Sequence, residues 1–174
     1  AAATSGEPQM LLVARDAGVG KTRLVAEFVT RARASGCQAL SGGCVLVGEA
    51  GLPLAAVVEA LRGLHRTLGR SSFDALAGPA RGELARLVPD LAPSSPAAGE
   101  PSVGGWAQAR LFELLLGFLG RLAAKSPVVL VVEDLHWADT ALLDFLEHVL
   151  DWGAPVPLLV LATTRPELFD RRAD

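Results

Sequence analysis

At 174 residues, the chain is long enough to bury one sizeable core. Half of it is hydrophobic (51%) and a fifth charged (20%), which marks a globular chain and excludes a disordered one. The formal net charge of -3 gives no general electrostatic footprint for nucleic acid, and no apolar run reaches the ~18 residues of a membrane span.

The chain opens without Met and without a basic region leading into a long apolar core, so no signal peptide is read. With no span either, the reading is a cytoplasmic protein. Gln9 to Ala14 is a short apolar run bounded by turn signals, the pattern of a buried strand. Lys21 to Ala34 reads as a helix with Leu24, Val25, Phe28 and Val29 on one face, stopped by Ser35-Gly36. Cys37 to Val47 is a weaker strand, because Gly42 and Gly43 interrupt it. Cys37 and Cys44 are the only cysteines, and their spacing fits neither a zinc site nor a redox pair. They read as two reduced, structural thiols.

Leu54 to Leu68 predicts an amphipathic helix with Pro53 near its first turn. Leu54, Val57, Val58, Leu61, Leu64 and Leu68 form its stripe. Phe73 to Leu87 predicts one or two short helices broken near Gly78-Pro79. The stretch from about 89 to 105 is rich in Pro, Ser, Ala and Gly and reads as a surface loop inserted within one domain of residues 1–174. Trp106 to Ala124 predicts an apolar helix, interrupted by Glu113 and Arg121 and ended by Ser126-Pro127. Val128 to Val132 is five consecutive β-favouring residues, the mark of a strand covered on both faces. Asp139 can cap a helix running to about Leu150. Pro157 to Thr163 predicts another buried strand. The abrupt end at Arg-Arg-Ala-Asp, like the start, reads as a cut through a longer protein. Arginine outnumbers lysine, and alanine, glycine and proline are abundant, a composition associated with GC-rich bacterial genomes.

Alternating strands and helices imply a parallel sheet covered on both sides. Ligands of such sheets lie beyond the carboxyl ends of the strands. Three polar clusters fall there. The first is Arg15 to Thr22, R-D-A-G-V-G-K-T, between a strand and a helix. Strand, glycine-bearing turn, Gly-Lys-Thr and helix form the context of a phosphate-binding loop. Glycines let successive backbone N–H groups face one concavity, and the helix N-terminus adds partial positive charge. Lys21 would reach the β- and γ-phosphates, and the Thr22 hydroxyl would ligate magnesium. The motif wants glycine six residues before the lysine, where this chain has Arg15. That residue points out of the loop, adds a phosphate contact, or spoils the turn by needing φ > 0.

The second cluster is Glu133-Asp134. Adjacent acids at the mouth of a buried strand are costly unless a cation compensates them. One would hold the metal and the other orient the attacking water. Strand alternation aims only one of them at the metal while extended geometry lasts. The third is Thr163-Thr164-Arg165, where a Thr or Arg could sense the γ-phosphate. Trp137 reads as a packing residue, His136 as non-catalytic, and His65 and His148 as surface or packing residues.

These residues carry a family resemblance. L-L-V-A-R-D-A-G-V-G-K-T-R-L resembles the Walker A segment of the STAND-type signalling ATPases. V-V-L-V-V-E-D-L-H-W-A-D resembles their Walker B segment with its trailing Trp-Ala-Asp, and L-L-V-L-A-T-T-R-P-E their sensor strand. G-L-P-L-A-A-V-V-E-A-L-R is similar as well. The likeness spans about Met10 to Glu167 and is nearest to the ATPase domain of large LuxR-type bacterial transcriptional regulators. It implies a three-layer α/β/α P-loop NTPase fold of the additional-strand type. The sheet would be mostly parallel, the sensor strand would lie between the Walker A and Walker B strands, and the chain would stop before the lid. It implies ATP and Mg2+ as cofactors, held by Ala17, Gly18, Val19, Gly20, Lys21, Thr22 and Arg23. The metal would be bound by Thr22 and Glu133, the water activated by Asp134, and Arg165 would be the sensor arginine.

The leading expectation is an ATP-binding, slowly hydrolysing switch domain of a bacterial signalling or transcriptional regulator. Its partners would be ATP and ADP, and other domains of the same polypeptide or a second copy, with no direct nucleic-acid contact and no membrane. One alternative is a protein-interaction module whose nucleotide site has degenerated, motivated by Arg15 and the absent lid. The other is a metabolic P-loop phosphotransferase, which would need a lid with clustered arginines; none lies between the motifs.

Overall fold

The computed structural model of the chain describes residues 6–14, 20–45, 53–88, 91, 105–153 and 155–166. Four strands, β1 (Gln9–Ala14), β2 (Gln38–Gly43), β3 (Val128–Glu133) and β4 (Leu158–Thr164), form one sheet. Its order is β1-β4-β3-β2 and every pairing is parallel. The expected insertion of the last strand between the first and third is therefore present. Among the described residues six helices flank it: α1 (Lys21–Ala34), α2 (Ala55–Leu68), α3 (Arg70–Ala77), α4 (Arg81–Leu87), α5 (Gly105–Ala123) and α6 (Thr140–Trp152).

The two faces of the sheet are covered unequally. Val128, Leu130 and Val132 of β3 join a large core with residues of α2 to α6, whereas Val129 and Val131 join a small core with Val25 and Val29 of α1. A strand buried on both faces has no polar alternation to show, which is why β3 is a continuous apolar run. On α1 the buried stripe is Val25 and Val29, with Phe28 and Ala32 partly buried. Leu24, read onto that face, is 57% exposed, one position outside the stripe.

β2 is a correction of a different kind. It is shorter than the predicted segment, and its glycines lie within the strand. A Cβ on Gly42 would fall on the carbonyl oxygen of Ala56 and within 2.9 Å of its Cα. The glycine admits the backbone of α2 against the strand, so it weakens the sequence pattern while permitting the packing.

All six residues of the predicted α2 stripe are buried or partly buried in the large core. The helix itself begins at Ala55, after a Leu54 in the left-handed region (φ 58) that is 2% exposed. That conformation costs a leucine on the order of 1–2 kcal/mol, offset by burial of its side chain and by a bond from its amide to Asp139 Oδ2 (3.1 Å). Helix α3 starts three residues before the predicted Phe73, and a 3₁₀ turn at Gly78–Ala80 makes the expected break before α4. Arg121 of α5 donates to the carbonyls of Leu76 (2.7 Å) and Ala77 (2.8 Å), which satisfies the last turn of α3. Within the Pro/Ser/Gly-rich stretch, residues 89–90 and 92–104 lie outside the described residues; Leu91 is buried. Both cysteines are free thiols, Cys37 half-buried and Cys44 buried. No helix among the described residues is long and apolar enough to cross a membrane.

Candidate functional site

Because the four strands are parallel, their carboxyl ends share one edge of the sheet. The register aligns Ala14 with Thr164 and Gly43 with Glu133 along it. The glycine-loop end of β1, Glu133-Asp134 and Thr163-Thr164-Arg165 therefore lie at one edge, as strand alternation and topology required.

Of the phosphate-loop residues, Arg15, Asp16, Ala17, Gly18 and Val19 lie outside the described residues. Gly20 adopts the left-handed region (φ 83) as the N-cap of α1, and a Cβ there would meet nothing within 4 Å. No side chain among the described residues caps α1, and its first turn holds no acid. Lys21 is half-buried; Thr22 and Arg23 are exposed. An ordinary helix puts acids in its first turn to oppose the dipole. Here cationic side chains stand there instead, which leaves the amide end open to an anion.

Strand alternation decides where the two acids go. Glu133 continues the series Val129, Val131, which packs on α1, so it leaves the sheet on the α1 face. Thr163 continues the series Leu159, Leu161 and shares that face. Asp134 leaves the strand altogether, with φ 56 and ψ 45. An aspartate tolerates this region better than most residues. Its amide donates to Thr163 Oγ1 at 3.2 Å. The Thr163 side chain thus anchors the turn at the mouth of β3. Thr164, fully buried, donates to the carbonyl of Arg165 (3.1 Å), and Arg165 is half-buried.

Burial first, then the charges of Asp134 and Glu59, pushes the Glu133 carboxyl above its ordinary pKa. Glu59 itself accepts from the amide of Gly43 at 2.8 Å. Three acids, Glu133, Asp134 and Glu59, act on one another at the end of β3, and a cation there would relieve their repulsion. No group of three or more His, Cys, Asp or Glu among the described residues forms a metal-holding cluster. A cation here would take few protein ligands, the habit of magnesium, which completes its shell with phosphate and water.

Two features had no clear signal in the sequence. Asp139, read as a helix cap, does accept from the Leu142 amide (3.0 Å), but its second oxygen also holds Leu54. The acid-bearing turn is thereby linked to the start of α2. His136 is buried (7% exposed), with Nδ1 3.9 Å from Asp134 Oδ1, while Trp137, read as a packing residue, is 38% exposed and tilts against the His136 ring. His65 packs edge-on against Phe73, and His148 Nε2 lies 3.1 Å from Glu113.

The family model for the AAA ATPase domain matches residues 1–161 of the chain. An uncharacterized protein of Rhizobium meliloti (strain 1021) is 28% identical over 185 aligned residues, which take in 93% of this chain and 17% of the relative. The chain thus spans well under a fifth of the length of that relative.

Proposed function

The chain belongs to the AAA ATPase domain family, a nucleotide-binding class, and from that membership we propose that it binds ATP with magnesium and serves as a slowly hydrolysing switch in a bacterial signalling or transcriptional regulator. The observation that supports the ATP reading is the junction of Asp134 and Thr163, by which the acid turn after β3 is tied to the end of β4, the strand that pairs with β1. The regulator reading rests on the sequence likeness to STAND-type ATPases. The much greater length of the relative supports a domain embedded among others.

In this reading the cradle is Ala17, Gly18, Val19 and Gly20. Their amides bind phosphate, with Lys21 supplying charge and Arg23 flanking it. Thr22 and Glu133 hold the metal, which when bound neutralises phosphate charge. Asp134 orients water by accepting its proton, fixed in place through its own amide. Arg165 meets charge developing on the γ-phosphate, since a guanidinium at a strand end can bind an oxyanion in a fork.

Calorimetric titration with Mg-ATP tests the assignment. The unmodified chain should bind, and Lys21→Ala should lose most of the affinity. Equal affinity in the two would refute the phosphate role. Binding only after Arg15→Gly would favour a degenerate interaction module, and phosphoryl transfer to small acceptors faster than hydrolysis would favour a metabolic phosphotransferase.

A further inference from the structure

The lateral edge of the sheet carries a groove beside the candidate site's row of strand ends. Strand β2 ends the sheet among the described residues. Its even-numbered amides face β3: Gln38 donates to the carbonyl of Pro127 and Cys44 to that of Glu133, each at 2.9 Å. The backbone groups of Ala39, Ser41 and Gly43 therefore face outward. Side chains hold two groups of this outer row. Arg33 donates to the carbonyl of Ala39 (3.1 Å), and Glu59 accepts from the amide of Gly43 (2.8 Å). Between them both backbone groups of Ser41 face out along the edge, and the amide of Ala39 does so just before the Arg33 contact.

A groove of about 580 Å³ opens along this row, lined by Gln38, Ala39 and Ser41 of β2, by Arg33 of α1, and by Gly63 and Arg66 of α2. Helices α1 and α2 pack on opposite faces of the sheet. Their arginines therefore flank the strand edge from its two sides. Among the described residues the lining holds two arginines and no acid. Gly63 keeps the α2 wall low, since a Cβ there would meet nothing within 4 Å.

We propose that the β2 edge is a docking site for an extended acidic peptide segment, which adds as a strand beside Ser41 and places neighbouring carboxylates on Arg33 and Arg66. Strand addition satisfies the outward backbone groups, and alternate side chains supply specificity. Successive residues of an added strand point to opposite faces. Two adjacent acids would meet the two arginines, one on each side, each in the forked geometry that a guanidinium offers a carboxylate. The site lies on β2, α2 and the last turn of α1 and does not depend on the nucleotide reading.

The test is fluorescence anisotropy with a labelled peptide of alternating Val and Thr carrying a central Asp-Glu pair. The chain should bind it, and a Lys-Lys version should bind at least about tenfold more weakly, a gap of ~1.4 kcal/mol. Arg33→Glu combined with Arg66→Glu should cost a similar factor. Both side chains are exposed, so the fold should tolerate the change. Gly63→Trp should block the groove while leaving the circular dichroism spectrum unchanged. Unchanged binding by the double variant, equal binding of the Lys-Lys peptide, or competition by free aspartate and glutamate as strong as by the unlabelled peptide would overturn the proposal. So would no binding at all.

Discussion

The amide of Asp134 donates to the hydroxyl oxygen of Thr163 at 3.2 Å, just beyond the last paired residues of the β3–β4 ladder, Val132 and Ala162. A side chain thus takes over where the ladder ends. The last strand holds the turn that carries the acid, and any shift of Thr163 moves Asp134. For the proposed role of Asp134 in aiming water at a phosphate, an anchor of this kind would set the geometry in advance.

Thr163→Val keeps the shape of a 2% exposed side chain and removes the acceptor. The orphaned amide should cost about 1–2 kcal/mol of stability. If the proposed role of Asp134 holds, ATP turnover should fall at least about tenfold while Mg-ATP affinity stays within about threefold, since the loss falls on a contact made in the transition state. Urea denaturation and a phosphate-release assay measure the two effects. Thr163→Ser should restore turnover, and a Val variant with undiminished turnover would detach the anchor from the chemistry.

Asp139 bridges the first turn of α6 and the residue before α2, accepting from Leu142 (3.0 Å) and Leu54 (3.1 Å). Asp139→Ala removes a cap and also leaves the amide of a leucine in the left-handed region without its partner. The combined loss should be about 2–3 kcal/mol. Asn has one acceptor oxygen, so Asp139→Asn should lose about half of that in the same urea titration. Equal losses in the two variants would mean that a neutral acceptor restores neither bond, so that the charge of the carboxylate carries the effect.

Gly42 and Gly43 look alike in sequence and should behave differently. Gly42→Ala sets a methyl against the Ala56 backbone, which no rotamer change can relieve. It should cost about 3 kcal/mol or more by forcing α2 away from β2. Gly43→Ala meets only the flexible carboxylate of Glu59, at 3.7 Å, and should fall within about 1 kcal/mol of the parent. Thermal melts of the two variants check the contrast.

That contrast marks the limit of what the residues disclose. Val128 to Val132 announces its strand because both faces demand apolar residues. Lys21 to Ala34 announces its helix through periodicity and a Ser-Gly stop. Strand ends gather polar clusters wherever a parallel sheet forms, so the candidate edge was legible as well. The close approach of α2 to Gly42 was not, because the reason for that glycine lies in another element. Nothing local marks Leu54 for the left-handed region either, since its support comes from Asp139, eighty-five positions away. Leu24 misled because an apolar side chain in the first turn of α1 satisfies the helical period without being covered. Asp134 followed the same logic in reverse: alternation held for Glu133 and ended at the next residue, where the turn began.

Glu133 supplies a test by pH. Desolvation, then Asp134 and Glu59, raise its pKa in the folded chain above the ordinary carboxylate value. Below the ordinary value the carboxyl is protonated in both folded and unfolded chains and contributes nothing to the pH dependence. Between the ordinary and the raised value the folded chain binds more protons, so stability falls as pH rises. Above the raised value both states are ionised and the penalty stays constant. Glu133→Gln abolishes the ionisation. Free of magnesium and nucleotide, this variant should therefore be more stable than the parent at neutral pH, with the advantage shrinking as the pH is lowered through the window. If Glu133 holds the metal as proposed, magnesium and ATP at saturation should reverse the order, because the parent then gains a cation partner that the amide cannot match. Urea midpoints across a pH series, with and without Mg-ATP, read both effects. A Gln variant less stable than the parent at neutral pH without ligand would show that Glu133 already has a stabilising partner in the free chain.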